Sequence, residues 1–107
     1  ELGGSDPFVV LDDADLDAAV AAATFGAFAN SGQICMSTER LIVDEAVADA
    51  FVAKLAERAK GLPLGDPRQG PVVLGSVVDM ATVERCNALI DDALAKGAKL
   101  VCGGKAT

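Results

Sequence analysis

Three short apolar runs alternate with stretches of helical periodicity, and that alternation leaves few folds open. Phe8-Val9-Val10-Leu11 ends in Asp12-Asp13 and reads as a buried strand. Leu41-Ile42-Val43 and the stretch from Lys99 to Cys102 are the second and third strand candidates. Between the first two, a helix is expected from about Ala14 to Phe28, with Asp13 as its N-cap and Leu16, Val20, Ala23 and Ala27 on its apolar face. Asp15 and Asp17 fall in its first turn, where the helix dipole favours anions, and Asn30-Ser31-Gly32 breaks it. A second helix, capped by Asp44, should run to about Lys60 with Val47, Phe51, Leu55 and Ala59 facing inward. Leu62 to Gly75 carries three Pro and three Gly and reads as a loop. A third helix is expected from about Asp79 to Lys96, with Val83, Cys86, Ile90 and Ala93 or Leu94 on one face. Strands joined through helices favour parallel pairing. The expected class is therefore α/β, a mostly parallel sheet with flanking helices.

The chemistry open to such a chain is narrowed by what it lacks. It has no histidine, which removes Ser-His-Asp triads, Cys-His dyads and His-containing metal sites. Its net charge of −7 argues against binding a nucleic-acid backbone or an anionic membrane surface. Three cysteines, an odd number without framework spacing, read as reduced thiols in a cytoplasmic protein. No run of 18 apolar residues and no leader pattern is present. The chain opens on Glu1 and stops in the turn-like Gly103-Gly104-Lys105-Ala106-Thr107, so both ends read as cut from a longer chain.

One stretch stands out, Phe28-Ala29-Asn30-Ser31-Gly32-Gln33-Ile34-Cys35-Met36-Ser37-Thr38-Glu39-Arg40. It puts a cysteine on a short, polar, irregular segment, Gln33 to Glu39, between a helix and a strand, and Gly32 lets the backbone bend so that amides can face a ligand. A nucleophilic thiol must be exposed and partly ionised. A lone cysteine in a turn more often has no such role. Cys86, on an apolar helix face, and Cys102, at a strand end, read as core residues. With no His and no Cys-x-x-Cys, a metal site is not expected.

The pattern Phe28-x-Asn30-x-Gly32-Gln33-x-Cys35, with Arg40 five residues on, resembles the active-site signature of the NAD(P)-dependent aldehyde dehydrogenases. Glu1-Leu2-Gly3-Gly4 resembles the signature that carries the general base in the same family, although Ser5 stands where Lys or Asn is common. The joining segment from Val10 to Val20, Leu64-Gly65-Asp66-Pro67, Gly70-Pro71 and Gly103-Gly104 are family-like too. The resemblance thus covers the whole chain. Ile34-Cys35-Met36-Ser37 looks most like the vanillin and salicylaldehyde dehydrogenase branch, with succinate-semialdehyde-type enzymes as a second possibility.

The resemblance implies that residues 1–107 form the N-terminal part of a catalytic domain, without the cofactor domain or the oligomerisation segment. It implies Cys35 as nucleophile and Glu1 as the base that activates water. Leu2 and Gly3 would lie beside the nicotinamide of NAD or NADP, and Ile34 and Met36 would contact a small-molecule aldehyde. The Cys35 N–H would hold the oxyanion, a donor whose removal typically costs about 2.7–4 kcal/mol. The parent would be a homo-oligomer. Arg40 reads as a structural ion-pairing or backbone-bonding residue, and Asn30 as the end of a helix. Two other readings stand beside this one: a fragment that is non-catalytic by itself, and an enzyme that passes its acyl group to CoA, against which the presence of Glu1 argues.

Overall fold

The computed structural model describes residues 3–106, so Glu1 and Leu2 lie outside the described residues. The elements are β1 (Asp6–Val10), α1 (Leu16–Phe28), β2 (Thr38–Val43), α2 (Glu45–Lys60) and α3 (Met80–Ala95). The chain forms two compact units, one through Gly75 and one from Ser76 onward.

The first unit is a β1-α1-β2 crossover with α2 packed beside it. β1 and β2 pair in parallel, Phe8 with Leu41, Val9 with Ile42 and Val10 with Val43. The ladder extends one step further, where the Asp44 N–H donates to Val10 O at 2.9 Å. At the other end the register slips, since Asp6 pairs with Thr38 but Pro7 with Arg40, leaving Glu39 as an extra residue. Pro7 has no N–H to give to the ladder, which suits it to such an irregularity.

Period-2 alternation sends Phe8 and Val10 inward and leaves Val9 and Ile42 exposed. Val10, Val20, Ala23 and Phe51 form the buried centre, with Leu16, Val43, Val47 and Leu55 packed against it. Of the apolar faces expected, Leu16, Val20 and Ala23 of α1 and Val47, Phe51 and Leu55 of α2 pack in this core, and Ala56 is buried in addition. α1 begins two residues later than expected, because the Ala14 N–H is tied to Leu11 O in a turn. Asp15, not Asp13, is therefore the cap, accepting from the amides of Asp17 and Ala18 at 3.0 and 3.1 Å. α2 follows Asp44, whose carboxylate accepts from the Ala46 amide at 2.9 Å. The Leu62–Gly75 loop is tied internally, Gly65 N–H to Leu74 O and the amides of Val73 and Leu74 to Pro63 O.

The second unit holds α3 close to its expected range, with Asp79 as its N-cap. Two expectations fail here. Lys99–Cys102 is not a strand: among the described residues no strand pairs with it, and an extended run without a ladder leaves its backbone groups to solvent. Nor do the remaining cysteines sit in a core. Cys86 is exposed, on a helix of which no residue is buried, and Cys102, which lies outside any helix or strand, is half-exposed.

Candidate active site

α1 ends with the Ala29 N–H bonded to Phe25 O, after which the chain reverses. Asn30, Ser31 and Gly32 follow one another in the left-handed region, with φ of 51°, 57° and 72°. Asparagine tolerates that region better than other residues with a Cβ. Gly32 is required for a second reason: a Cβ there would stand 3.0 Å from Ala27 O. The bend is closed by two bonds between the same residues. The Gln33 N–H donates to Asn30 O, and Asn30 Nδ2 donates to Gln33 O, both at 3.2 Å. Asn30 thus lies beyond the helix end, in the bend itself.

The next four residues form the turn that presents the thiol. The Ser37 N–H donates to Ile34 O at 2.9 Å, which puts Cys35 and Met36 at the tip. Cys35 is exposed and Met36 is 74% exposed, while Ile34 is half-buried. The Cys35 N–H has no acceptor among the described residues. The turn is held from below: Ser37 is buried, and Thr38 begins β2 directly against α1. There a Cβ added to Gly26 would meet Thr38 Oγ1 at 2.5 Å, so the absence of a side chain at Gly26 sets how closely the helix approaches the strand below the turn. β2 therefore starts three residues earlier than the apolar run alone indicated.

Parallel pairing brings Gly3 and Gly4 to the same end of the sheet as Cys35. Gly3 and Gly4 precede β1 as Cys35 precedes β2, and a Cβ on Gly4 would lie 3.9 Å from Cys35 O. Gly3 has φ of 78°, and a Cβ there would meet nothing within 4 Å. No side chain of the glycine pair therefore stands beside the Cys35 turn. Of the residues expected beside a nicotinamide, Gly3 is described; Leu2, like the expected base Glu1, lies outside the described residues.

Other expectations fare differently. Arg40 is exposed opposite Pro7, with no ion pair or side-chain hydrogen bond among the described residues, so the structural ion pair expected for it is not formed. Among the described residues no group of three His, Cys, Asp or Glu side chains could hold a metal, and no helix is long and apolar enough to cross a membrane. The perturbed carboxylates are at the periphery. The hydrogen bond from Lys54 holds Asp17 below the ordinary carboxylate range, and Arg68 does the same for Asp66. Sequence reading missed two features: the Asn30–Gln33 tie, hinted at only by the left-handed preference of Asn, and the buried Ser37 hydroxyl, which has no hydrogen-bond partner among the described residues.

Comparison with known proteins agrees with this geometry. The model of the aldehyde dehydrogenase family matches residues 1–107. Vanillin dehydrogenase of Pseudomonas fluorescens is 65% identical over 105 residues, 98% of this chain and 22% of that protein. Salicylaldehyde dehydrogenase of Pseudomonas putida is 60% identical over 107 residues, 99% of this chain and 22% of that protein. The crystal structure of a salicylaldehyde dehydrogenase from Pseudomonas putida G7, complexed with salicylaldehyde, superposes with a TM-score of 0.92 at 55% identity, covering 97% of this chain and 22% of that one. The chain thus spans about a fifth of the length of the relatives it matches. With the family model matching the whole chain and the vanillin dehydrogenase relative 65% identical over 98% of it, the chain belongs to the aldehyde dehydrogenase family.

Proposed function

We propose that this chain supplies the nucleophile and the hydrolytic base of an enzyme that oxidises an aromatic aldehyde to its carboxylic acid with NAD or NADP. The observation that carries the reading is the exposed Cys35 at the tip of a tied turn, its N–H without an acceptor among the described residues.

The chemistry follows from those groups. Cys35 Sγ, as thiolate, adds to the aldehyde carbon, and the carbonyl π electrons move to oxygen. The Cys35 N–H donates to that oxyanion, a stabilisation that matters because the donor is in place before charge develops. When bound, the nicotinamide supplies the hydride acceptor. Loss of hydride from the thiohemiacetal carbon leaves a thioester on Cys35. Glu1 then takes a proton from water, whose oxygen adds to the acyl carbon and expels Sγ. A carboxylate base suits a chain without histidine. Leu2 and Gly3 would hold the ring, and Met36 and Ile34 would offer apolar surface to the substrate.

The preference for an aromatic substrate rests on the 65% and 60% identities to vanillin and salicylaldehyde dehydrogenases. The parent is read as a cytoplasmic homo-oligomer. The 107 residues alone are read as non-catalytic, because the chain makes up 22% of those relatives. A full-length dehydrogenase carrying this chain, assayed with vanillin, salicylaldehyde and succinate semialdehyde, with NAD+ and NADP+ and with or without CoA, tests the reading. Free carboxylic acid should form without CoA, faster from the two aromatic aldehydes. A CoA thioester as the main product would contradict the hydrolytic role of Glu1.

A further inference from the structure

The Cys35 turn is not continuous with α1. It follows three left-handed residues, two of which carry a Cβ. A non-glycine residue in that region is strained, and the strain persists only where the surroundings enforce it. Gly32 permits the reversal but supplies no force of its own. The bonds that enforce it are the main-chain bond from Gln33 N–H to Asn30 O and the side-chain bond from Asn30 Nδ2 to Gln33 O. Gln33 O belongs to the peptide unit that leads into Ile34, and Ile34 O accepts the bond that closes the turn around Cys35. The Asn30 amide is thus two hydrogen-bonded steps from the nucleophile.

We propose that Asn30 is a positioning residue for Cys35: its side-chain amide, by donating to Gln33 O, orients the turn so that Sγ and the Cys35 N–H converge on one carbonyl. Asn30 meets two demands together. It accepts a φ of 51° and it offers a donor over a short reach. Glycine meets the first demand only. Aspartate tolerates the backbone but has no proton to donate at neutral pH, and alanine meets neither. The proposal rests on Cys35 being the nucleophile of an aldehyde oxidation.

The three variants Asn30→Gly, Asn30→Asp and Asn30→Ala, made in a full-length dehydrogenase carrying this chain, separate the demands. Misplacing a reacting group lowers the rate of the chemical step rather than the affinity. In Asn30→Gly and Asn30→Asp, kcat should fall about tenfold or more with KM within about twofold, and Asn30→Ala should be slower still. Hydrogen exchange at the Gln33 and Ser37 amides should quicken, while amides within α1 and α2 stay protected. Unchanged kcat in both Asn30→Gly and Asn30→Asp would overturn the proposal, whatever the exchange does. So would a loss of kcat in all three variants that simply follows a lowered Tm and lost protection in α1, which would mark a purely structural residue. If Cys35→Ala retains activity, the functional reading fails instead. The exchange measurement would still report on the Asn30 tie.

Discussion

The two units of the chain contain helices of equal length with opposite environments. α2 and α3 each have 16 residues and an aspartate cap. α2 buries Phe51 and Ala56, whereas α3 buries nothing and leaves Met80 and Leu89 67% and 58% exposed. Helical propensity alone barely sustains a helix of that length. The contrast teaches that the Cys35 turn belongs to the part of the chain that makes its own core. β1, α1 and α2 enclose Val10, Val20 and Phe51, and the turn hangs between α1 and β2.

The largest effect should come from that core. Phe51→Ala should cost about 3–5 kcal/mol, read as loss of hydrogen-exchange protection at Val10 and Val20. Leu89→Ala in α3 should change local protection by no more than about 0.5 kcal/mol. Equal effects would erase the distinction between the units. Next comes Gly26→Ala, whose Cβ would press on Thr38 Oγ1 beneath the turn. It should destabilise by about 1–3 kcal/mol and slow aldehyde oxidation, whereas a methyl group added at Gly70, where a Cβ meets nothing within 4 Å, should leave the rate unchanged.

The smallest effect is one of pH. The Thr82 amide and hydroxyl hold the Asp79 carboxyl below its ordinary value of 3.8. Its contribution to α3 is therefore fully present above about that pH and is lost as pH falls through the lower folded value. Asp17, lowered by its hydrogen bond and ion pair to Lys54, follows the same sign. The two differ in salt sensitivity. Asp17 and Lys54 are exposed opposite charges and should lose most of their effect in high salt, while the Asp79 cap, bonded to uncharged groups, should lose little. NMR titration of both carboxylates at two salt concentrations checks this.

Much of this was legible in the sequence, for reasons that differ by residue. The period of Leu16, Val20 and Ala23, and that of Val47, Phe51 and Leu55, marked the packing faces, because those faces meet a sheet within the same unit. The irregular turn that carries Cys35 was legible in the Asn30-Ser31-Gly32 break and the polar residues after it. The start of α1 was not, because three aspartates compete for the cap and the Leu11–Ala14 turn decides among them. Cys86 and the strand at Lys99–Cys102 misled for one shared reason. An apolar pattern states what a segment could bury, not whether a partner stands opposite it among the described residues.

The account turns on Cys35. The most direct measurement is the steady-state oxidation of salicylaldehyde or vanillin by a full-length dehydrogenase carrying this chain, compared with its Cys35→Ala variant and with a Cys86→Ala, Cys102→Ala double variant as control. Accessibility alone cannot single out the nucleophile, since Cys86 is exposed as well. The account predicts that Cys35→Ala abolishes acid formation while the double variant keeps the parental rate. Acid formation that survives in Cys35→Ala would contradict it.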